Sequence, residues 1–198
     1  MGPGIVPPGG DVSEPIPPPD ETALPPRYAP ARPLPPYRFV PGFHPHPSAD
    51  PAGHSWGHPE PQVEALPPAA WARNEEYLFG VDLFNRRYYW EAHEAWEAVW
   101  HTCDKARAQG LFLQGLIQLS AALLRWHMGS EAGARKLYGA ALQKLEVARR
   151  ESPVSYMGLP LATWLAEVER CFAQLPPAAE AGAAPQPQLP VIRLRFEE

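Results

Sequence analysis

Leu111-Phe112-Leu113-Gln114-Gly115-Leu116-Ile117-Gln118-Leu119-Ser120-Ala121-Ala122-Leu123-Leu124 is the longest apolar run in the chain. It falls short of the about 20 apolar residues that a bilayer span needs, and two glutamines interrupt it. It therefore reads as the central, most buried helix of a bundle, over about Ala106 to Met128, apolar nearly all round. Downstream, Gly129 suits the residue after a helix C-terminus, and Ser130 suits the N-cap of a fourth helix over Glu131 to Glu151. Its buried side would be Ala134, Leu137, Ala141, Leu145 and Ala148. Pro153 ends it. A fifth helix carries Leu161, Trp164, Leu165, Val168, Phe172 and Leu175, and Pro176-Pro177 stops it. Upstream, Tyr89, Ala92, Trp96, Val99 and Cys103 recur at steps of three and four in a second helix, about Tyr88 to Cys103. A first helix, about Ala69 to Arg86, follows Pro67-Pro68 and presents Trp71, Leu78, Val81 and Phe84. Short connections favour antiparallel neighbours. The expected fold is all-α, a bundle of about five helices over residues 67–177, with a Pro-rich N-terminal extension and a short Pro-rich C-terminal tail.

The flanks differ sharply in composition. Most of the 28 prolines precede residue 69. Proline fixes φ and lacks the amide donor, so residues 1–36 read as a disordered, polyproline-like tail. Residues 37–66 carry Tyr37, Phe39, Val40, Phe43 and Trp56, an aromatic content unusual for a free linker. They read as an extended arm packed on the domain. Residues 178–198 read as a tail whose last piece, Leu189 to Phe196, alternates like a strand without a visible partner.

Net charge is −5 with a pI near 5.8, and the basic residues are scattered in short pairs, so no nucleic-acid partner is expected. No membrane partner is expected either; a protein partner or a homo-oligomer is compatible with the chain. Cys103 and Cys171 lie far apart outside any C-x-x-C unit and read as buried free thiols. Residues 1–10 lack a basic segment followed by an apolar core, so the expected location is cytoplasmic.

One polar constellation stands out. His93, Glu97 and Trp100 follow i, i+4, i+7 on one face of the second helix, flanking its apolar stripe. An imidazole and a carboxylate four residues apart can reach one ion together. Gln114 and Gln118, also i, i+4, interrupt the central helix and need partners, since a buried unpaired amide costs about 1–3 kcal/mol. These four side chains are expected to share one interior spot with Trp100 as a wall. Glu94 and Glu91 lie further round the helix, suited to a supporting or solvated role. Arg125 and His127 at the end of the central helix are weaker candidates, as are His46 and His54 from a histidine cluster that also includes His44 and His58. The plain alternative is a satisfied, inert cluster that fixes the register of two helices. Nucleotide-binding glycine loops and H-E-x-x-H are absent from the sequence.

Phe84-Asn85, Tyr88-Tyr89-Trp90-Glu91-Ala92-His93-Glu94, Glu97 and Trp100 together resemble the signature of the bacterial and archaeal "domain of unknown function 309" family, H-x-x-x-E-x-x-(W/Y). Leu113-Gln114-Gly115-Leu116-Ile117-Gln118 resembles its Q-G-L-I-Q segment. Gly129, Gly133-Ala134 and Leu137 resemble its G-N-x-x-G-A-x-x-L stretch, with Ser130 in place of Asn. Met157-Gly158-Leu159 resembles its M-G-L-D turn, with Pro160 in place of Asp. The resemblance covers about Ala69 to Leu175. It implies a small helical bundle and a divalent metal held at the signature; it brings no substrate. Val40-Pro41-Gly42, Pro45-His46-Pro47 and Gly53-His54-Ser55 resemble an extension that precedes the domain in some members, which implies an ordered arm. Three functions follow as expectations: a metal-dependent hydrolase at His93 and Glu97, a non-catalytic helical interaction module whose His/Glu/Gln cluster is structural, or a small-ligand pocket around Gln114 and Gln118.

Overall fold

The structure is a computed structural model, and it describes residues 16–59, 61–175 and 188–196. Five helices carry the fold: α1 (Glu75–Asn85), α2 (Tyr89–Trp100), α3 (Ala108–His127), α4 (Glu131–Glu151) and α5 (Leu161–Gln174). The expected all-helical bundle is what forms. No helix among the described residues is long and apolar enough to cross a membrane.

The first helix starts later than the hydrophobic pattern suggests. Pro68–Arg73 form a 3-10 turn, and α1 begins only after Asn74, whose side-chain oxygen accepts the Tyr77 amide at 3.0 Å. An Asn side chain satisfies one orphan amide of a helix start, and Glu75 and Glu76 then favour the positive end of the dipole. Helix α3 is the centre and packs against both α2 and α4. Gly115 sets the close approach to α4, because a Cβ there would sit 2.6 Å from Cγ of Leu145. Ala134, Ala141, Leu145 and Ala148 line the buried side of α4, while Trp164, Val168 and Phe172 bury that of α5. Gly129 takes the left-handed conformation (φ 77°) after α3, and Ser130 N donates to the Arg125 carbonyl. Ser130 occupies the N-cap position of α4 but makes no side-chain capping bond.

The flanks are where the structure departs from the sequence reading. The part of the expected 1–36 tail that the structure describes, residues 16–36, runs along the bundle. Ile16 and Ala29 are buried in its core. The cause is Asp82 on α1, a fully buried carboxylate. Its two oxygens accept the backbone amides of Tyr28 and Ala29, each at 2.8 Å. The guanidinium of Arg27 stands 3.5 Å from it, and that of Arg86 3.8 Å. Leaving such a carboxylate unpaired would be far costlier than ordering the strap that satisfies it.

One turn further along α1, Asn85 holds the other end of the chain. Its amide donates to the Ile192 carbonyl at 2.8 Å and its oxygen accepts the Ile192 amide at 2.7 Å. The strand-like alternation of 189–196 thus finds a side chain instead of a sheet. Leu189, Ile192 and Leu194 are buried, the Leu194 amide donates to the Tyr28 hydroxyl, and the Arg195 amide donates to the Gly158 carbonyl. The tail readings for 1–15 and for 178–187 lie outside the described residues.

Residues 37–59 fold over α2. Phe39 and Val40 are buried, and Phe39 and His46 both stack edgewise on Trp90 at ring distances of 5.1 and 5.3 Å. The Tyr37 hydroxyl ties the loop together by donating to the Pro45 carbonyl and accepting the His54 amide. Gly53 permits the fold-back, because a Cβ there would lie 2.1 Å from the His46 carbonyl oxygen.

Both cysteines are free thiols, Cys171 buried and Cys103 half-buried. Burial pushes the Cys171 thiol up to about 12. Its folded value is thus above the about 8.5 of an unfolded cysteine, so this contribution to stability is complete below that value and is lost as the pH climbs toward 12. At pH 8 a chromogenic disulfide reagent should modify Cys171 only after guanidinium unfolds the chain; release of that thiol at the native stage would contradict the packing. Replacing Asp82 with Ala should lower unfolding free energy by about 3–5 kcal/mol, because the Tyr28 and Ala29 amides lose their acceptor and Arg27 and Arg86 lose the buried carboxylate beside them. Denaturant titration measures the loss, and limited proteolysis should show new cleavage within residues 16–36.

Candidate metal and ligand site

His93, Glu94 and Glu97 stand on α2, on the side where the apolar stripe of Ala92, Trp96 and Val99 gives way to solvent. One donor atom from each can be chosen so that all lie within 4.8 Å of one another. His93 Nδ1 is 3.2 Å from a Glu94 carboxylate oxygen, with side chains 24% and 49% exposed respectively. Glu94, expected in a supporting role, is therefore part of the cluster. The position is shallow, half covered by the Trp90 ring 5.6 Å from that of His93.

The neighbouring polar side chains do not join this cluster by hydrogen bonds. Gln114 and Gln118 are half-buried on α3, and neither bonds to His93 or Glu97 among the described residues. The expected four-residue network is not formed; His93 and Glu97 lie instead beside Glu94, with a donor atom of each within 4.8 Å of the others. Gln118 Oε1, Trp100 Nε1 and His93 Nδ1 are among the buried polar atoms that make no hydrogen bond. Each lacks a bond whose absence costs about 1–3 kcal/mol. The Trp100 ring receives the Lys105 ammonium 4.0 Å from its centroid.

The weaker candidates lie elsewhere. Arg125 is exposed and His127 is packed against Tyr89 and Trp126. His46 Nδ1 accepts the amides of Ser48 and Ala49. His54 lies in the arm, where its Nε2 is 3.2 Å from Oε1 of Glu91.

Glu91, expected like Glu94 in a supporting or solvated role, is instead a buried acceptor for the arm. It is 6% exposed, and its Oε1 also accepts the Phe39 amide at 2.9 Å. The signal was faint: a glutamate one turn after Tyr88 and one turn before Ala95, on a face that both neighbours mark as buried. Glu91, Glu94 and Glu97 all line a cleft of about 810 Å³ between the arm and helices α1 and α2.

Fold and site together define a small helical bundle whose second helix offers an imidazole and two carboxylates to a shared point. A family model described as "Domain of unknown function (DUF309)" matches residues 77–137. The match bears out the resemblance read from the motifs and spans α1 to the first part of α4, including His93, Glu97, Gln114 and Gln118. It does not extend to the arm or to the Met157-Gly158-Leu159 turn. No curated protein matches the chain.

If Gln118 serves a ligand and not the fold, replacing it with Met should leave stability unchanged or raise it by up to about 1 kcal/mol, since an unpaired amide oxygen is removed from an apolar setting. Urea unfolding of the ligand-free protein measures this. A loss of 2 kcal/mol or more, on the scale of about 1–3 for a broken buried hydrogen bond, would show that the amide is structural.

Proposed function

We propose that the α2 face binds one divalent cation through His93, Glu94 and Glu97, and that the protein is a metal-dependent hydrolase. The convergence of three donor atoms within 4.8 Å carries this reading. One imidazole nitrogen and two carboxylate oxygens form a mixed N/O donor set that suits zinc, manganese or ferrous iron. Three protein donors leave coordination positions open, as catalytic sites require. A bound ion of this kind supplies Lewis acidity and lowers the pKa of coordinated water toward neutrality.

The protein's own groups set the rest. Trp90 shields one side of His93, restricting its ring. Glu94 and Glu97 also border the cleft under the arm, so a substrate in that cleft would lie beside the donor cluster. The unpaired Gln118 Oε1 and Trp100 Nε1 are further polar groups available to a ligand entering between α2 and α3.

Full-length protein prepared without a histidine tag and stripped with chelator should take up about one zinc or manganese ion per chain in calorimetric titration. His93→Ala and Glu97→Gln should each weaken uptake by at least about ten-fold, the scale on which ligand shells respond to loss of a member. Equal heats for wild type and both variants would end the metal reading.

A further inference from the structure

A second polar array lies under the arm, and its three members touch one another in sequence. His54 Nδ1 is 2.9 Å from the Ser55 hydroxyl oxygen, and His54 Nε2 is 3.2 Å from Oε1 of Glu91. Ser55, His54 and Glu91 all line the cleft of about 810 Å³. We infer that Ser55, His54 and Glu91 form a nucleophile, general base and orienting carboxylate for acyl transfer from esters bound in this cleft. None of the three is a donor of the α2 cation cluster, so this assignment does not rest on the metal reading.

The tautomer follows from the partners. A carboxylate can only accept, so the proton on the His54 ring belongs on Nε2, directed at Glu91. Nδ1 is then the acceptor, and the Ser55 hydroxyl donates to it. Hydroxyl, imidazole and carboxylate in this order are the roles by which such an array is recognised, whatever the chain order or the fold. Two nearly inaccessible side chains hold the geometry. The side chains of His54 and Glu91 are 9% and 6% exposed. The same Oε1 of Glu91 also accepts the Phe39 amide, and the His54 backbone amide donates to the Tyr37 hydroxyl. A mere fastening of the arm to α2 would need only the His54–Glu91 pair. The hydroxyl on the far nitrogen, beside open volume, is what a fastening does not require.

The chemistry balances without a cofactor. The Ser55 oxygen attacks the ester carbonyl carbon as its proton passes to His54 Nδ1. The tetrahedral intermediate collapses, the C–O bond to the alcohol breaks, and the alcohol leaves with the proton from Nδ1. Water then attacks the acyl-serine, giving its proton to His54, and Ser55 recovers it as the carboxylic acid departs. The positive charge that forms on the imidazole is faced by Glu91. His58 and His101 border the same cleft, and neither ring makes a hydrogen bond to protein among the described residues, so both are available as donors to the alkoxide.

Charge selects the substrate class. Glu76, Glu91, Glu94 and Glu97 border the cleft, against a single guanidinium, Arg32, that is already paired with Glu76 at 2.8 Å. An acidic cleft disfavours anionic acyl groups and favours neutral or cationic esters.

The test uses full-length protein, an uncharged alkyl fluorophosphonate, and a pair of p-nitrophenyl esters, one bearing an ammonium group and one a carboxylate. The expected result is a single adduct mapped to Ser55 and faster turnover of the ammonium ester. Ser55→Ala should lose both adduct and turnover with an unchanged Tm. His54→Gln should slow labelling by about 10²–10⁴-fold, the usual worth of a general base. Labelling that persists with chelator present keeps this array distinct from the cation cluster. No adduct on wild-type protein, an adduct only at another residue, or turnover undiminished in Ser55→Ala would overturn the assignment. Preference for the carboxylate ester would overturn the substrate class.

Discussion

A carboxylate with no solvent around it organises this molecule. Asp82 is completely buried in the middle of α1, and it can exist there only if donors come to it. The nearest helices cannot supply enough of them. The strap at residues 27–29 does, with two backbone amides and one guanidinium, and Arg86 adds a second positive charge from the same helix. Asn85, three positions on, repeats the device with an amide for residue 192. One short helix thereby anchors both ends of the described chain. The residues 28 and 194 so brought together then bond to each other through the Tyr28 hydroxyl.

The proline content has a physical meaning in this setting. A Pro-rich segment has few amide donors and no helix or ladder to place them in. Those that remain are directed outward along an extended chain and are free to satisfy someone else's acceptor. Tyr28, Ala29 and Phe39 each give an amide to a buried carboxylate of the bundle, Asp82 in the first two cases and Glu91 in the third. The arm therefore does more than cover apolar surface. It is the complementary half of a polar core, and it encloses the cleft in which Glu91, Glu94 and Glu97 meet residues from outside the bundle.

Two faces of α2 are consequently polar for different reasons. On the face of His93, the cluster is shallow and open, with donors that approach one another but are little engaged by the protein. On the face of Glu91, burial is nearly complete and each contact is specific. The first arrangement suits capture of an exchangeable ion; the second suits a group whose orientation must not change. They share a cleft because Glu94 and Glu97 project between them.

The helices were legible from the chain because apolar spacing is a local property, repeated every three or four residues, and α3 announced itself by being apolar on every side. The i, i+4 relation of His93 and Glu97 was legible for the same reason. The start of α1 was misplaced because a capping Asn74 outweighed the apolar pattern ahead of it. Long-range pairings were not legible. Ser55 sits beside His54 in Gly53-His54-Ser55-Trp56-Gly57, a G-x-S-x-G spacing, but nothing in that stretch named a glutamate 37 positions away from His54. Gln114 and Gln118 were legible as amides in need of partners, but which side chains could reach them depended on how α2 and α3 pack. Sequence alone thus determined the bundle and the types of group available to a site. Tertiary structure decided which of those groups meet, because only packing fixes which buried acceptor must be satisfied by which distant donor.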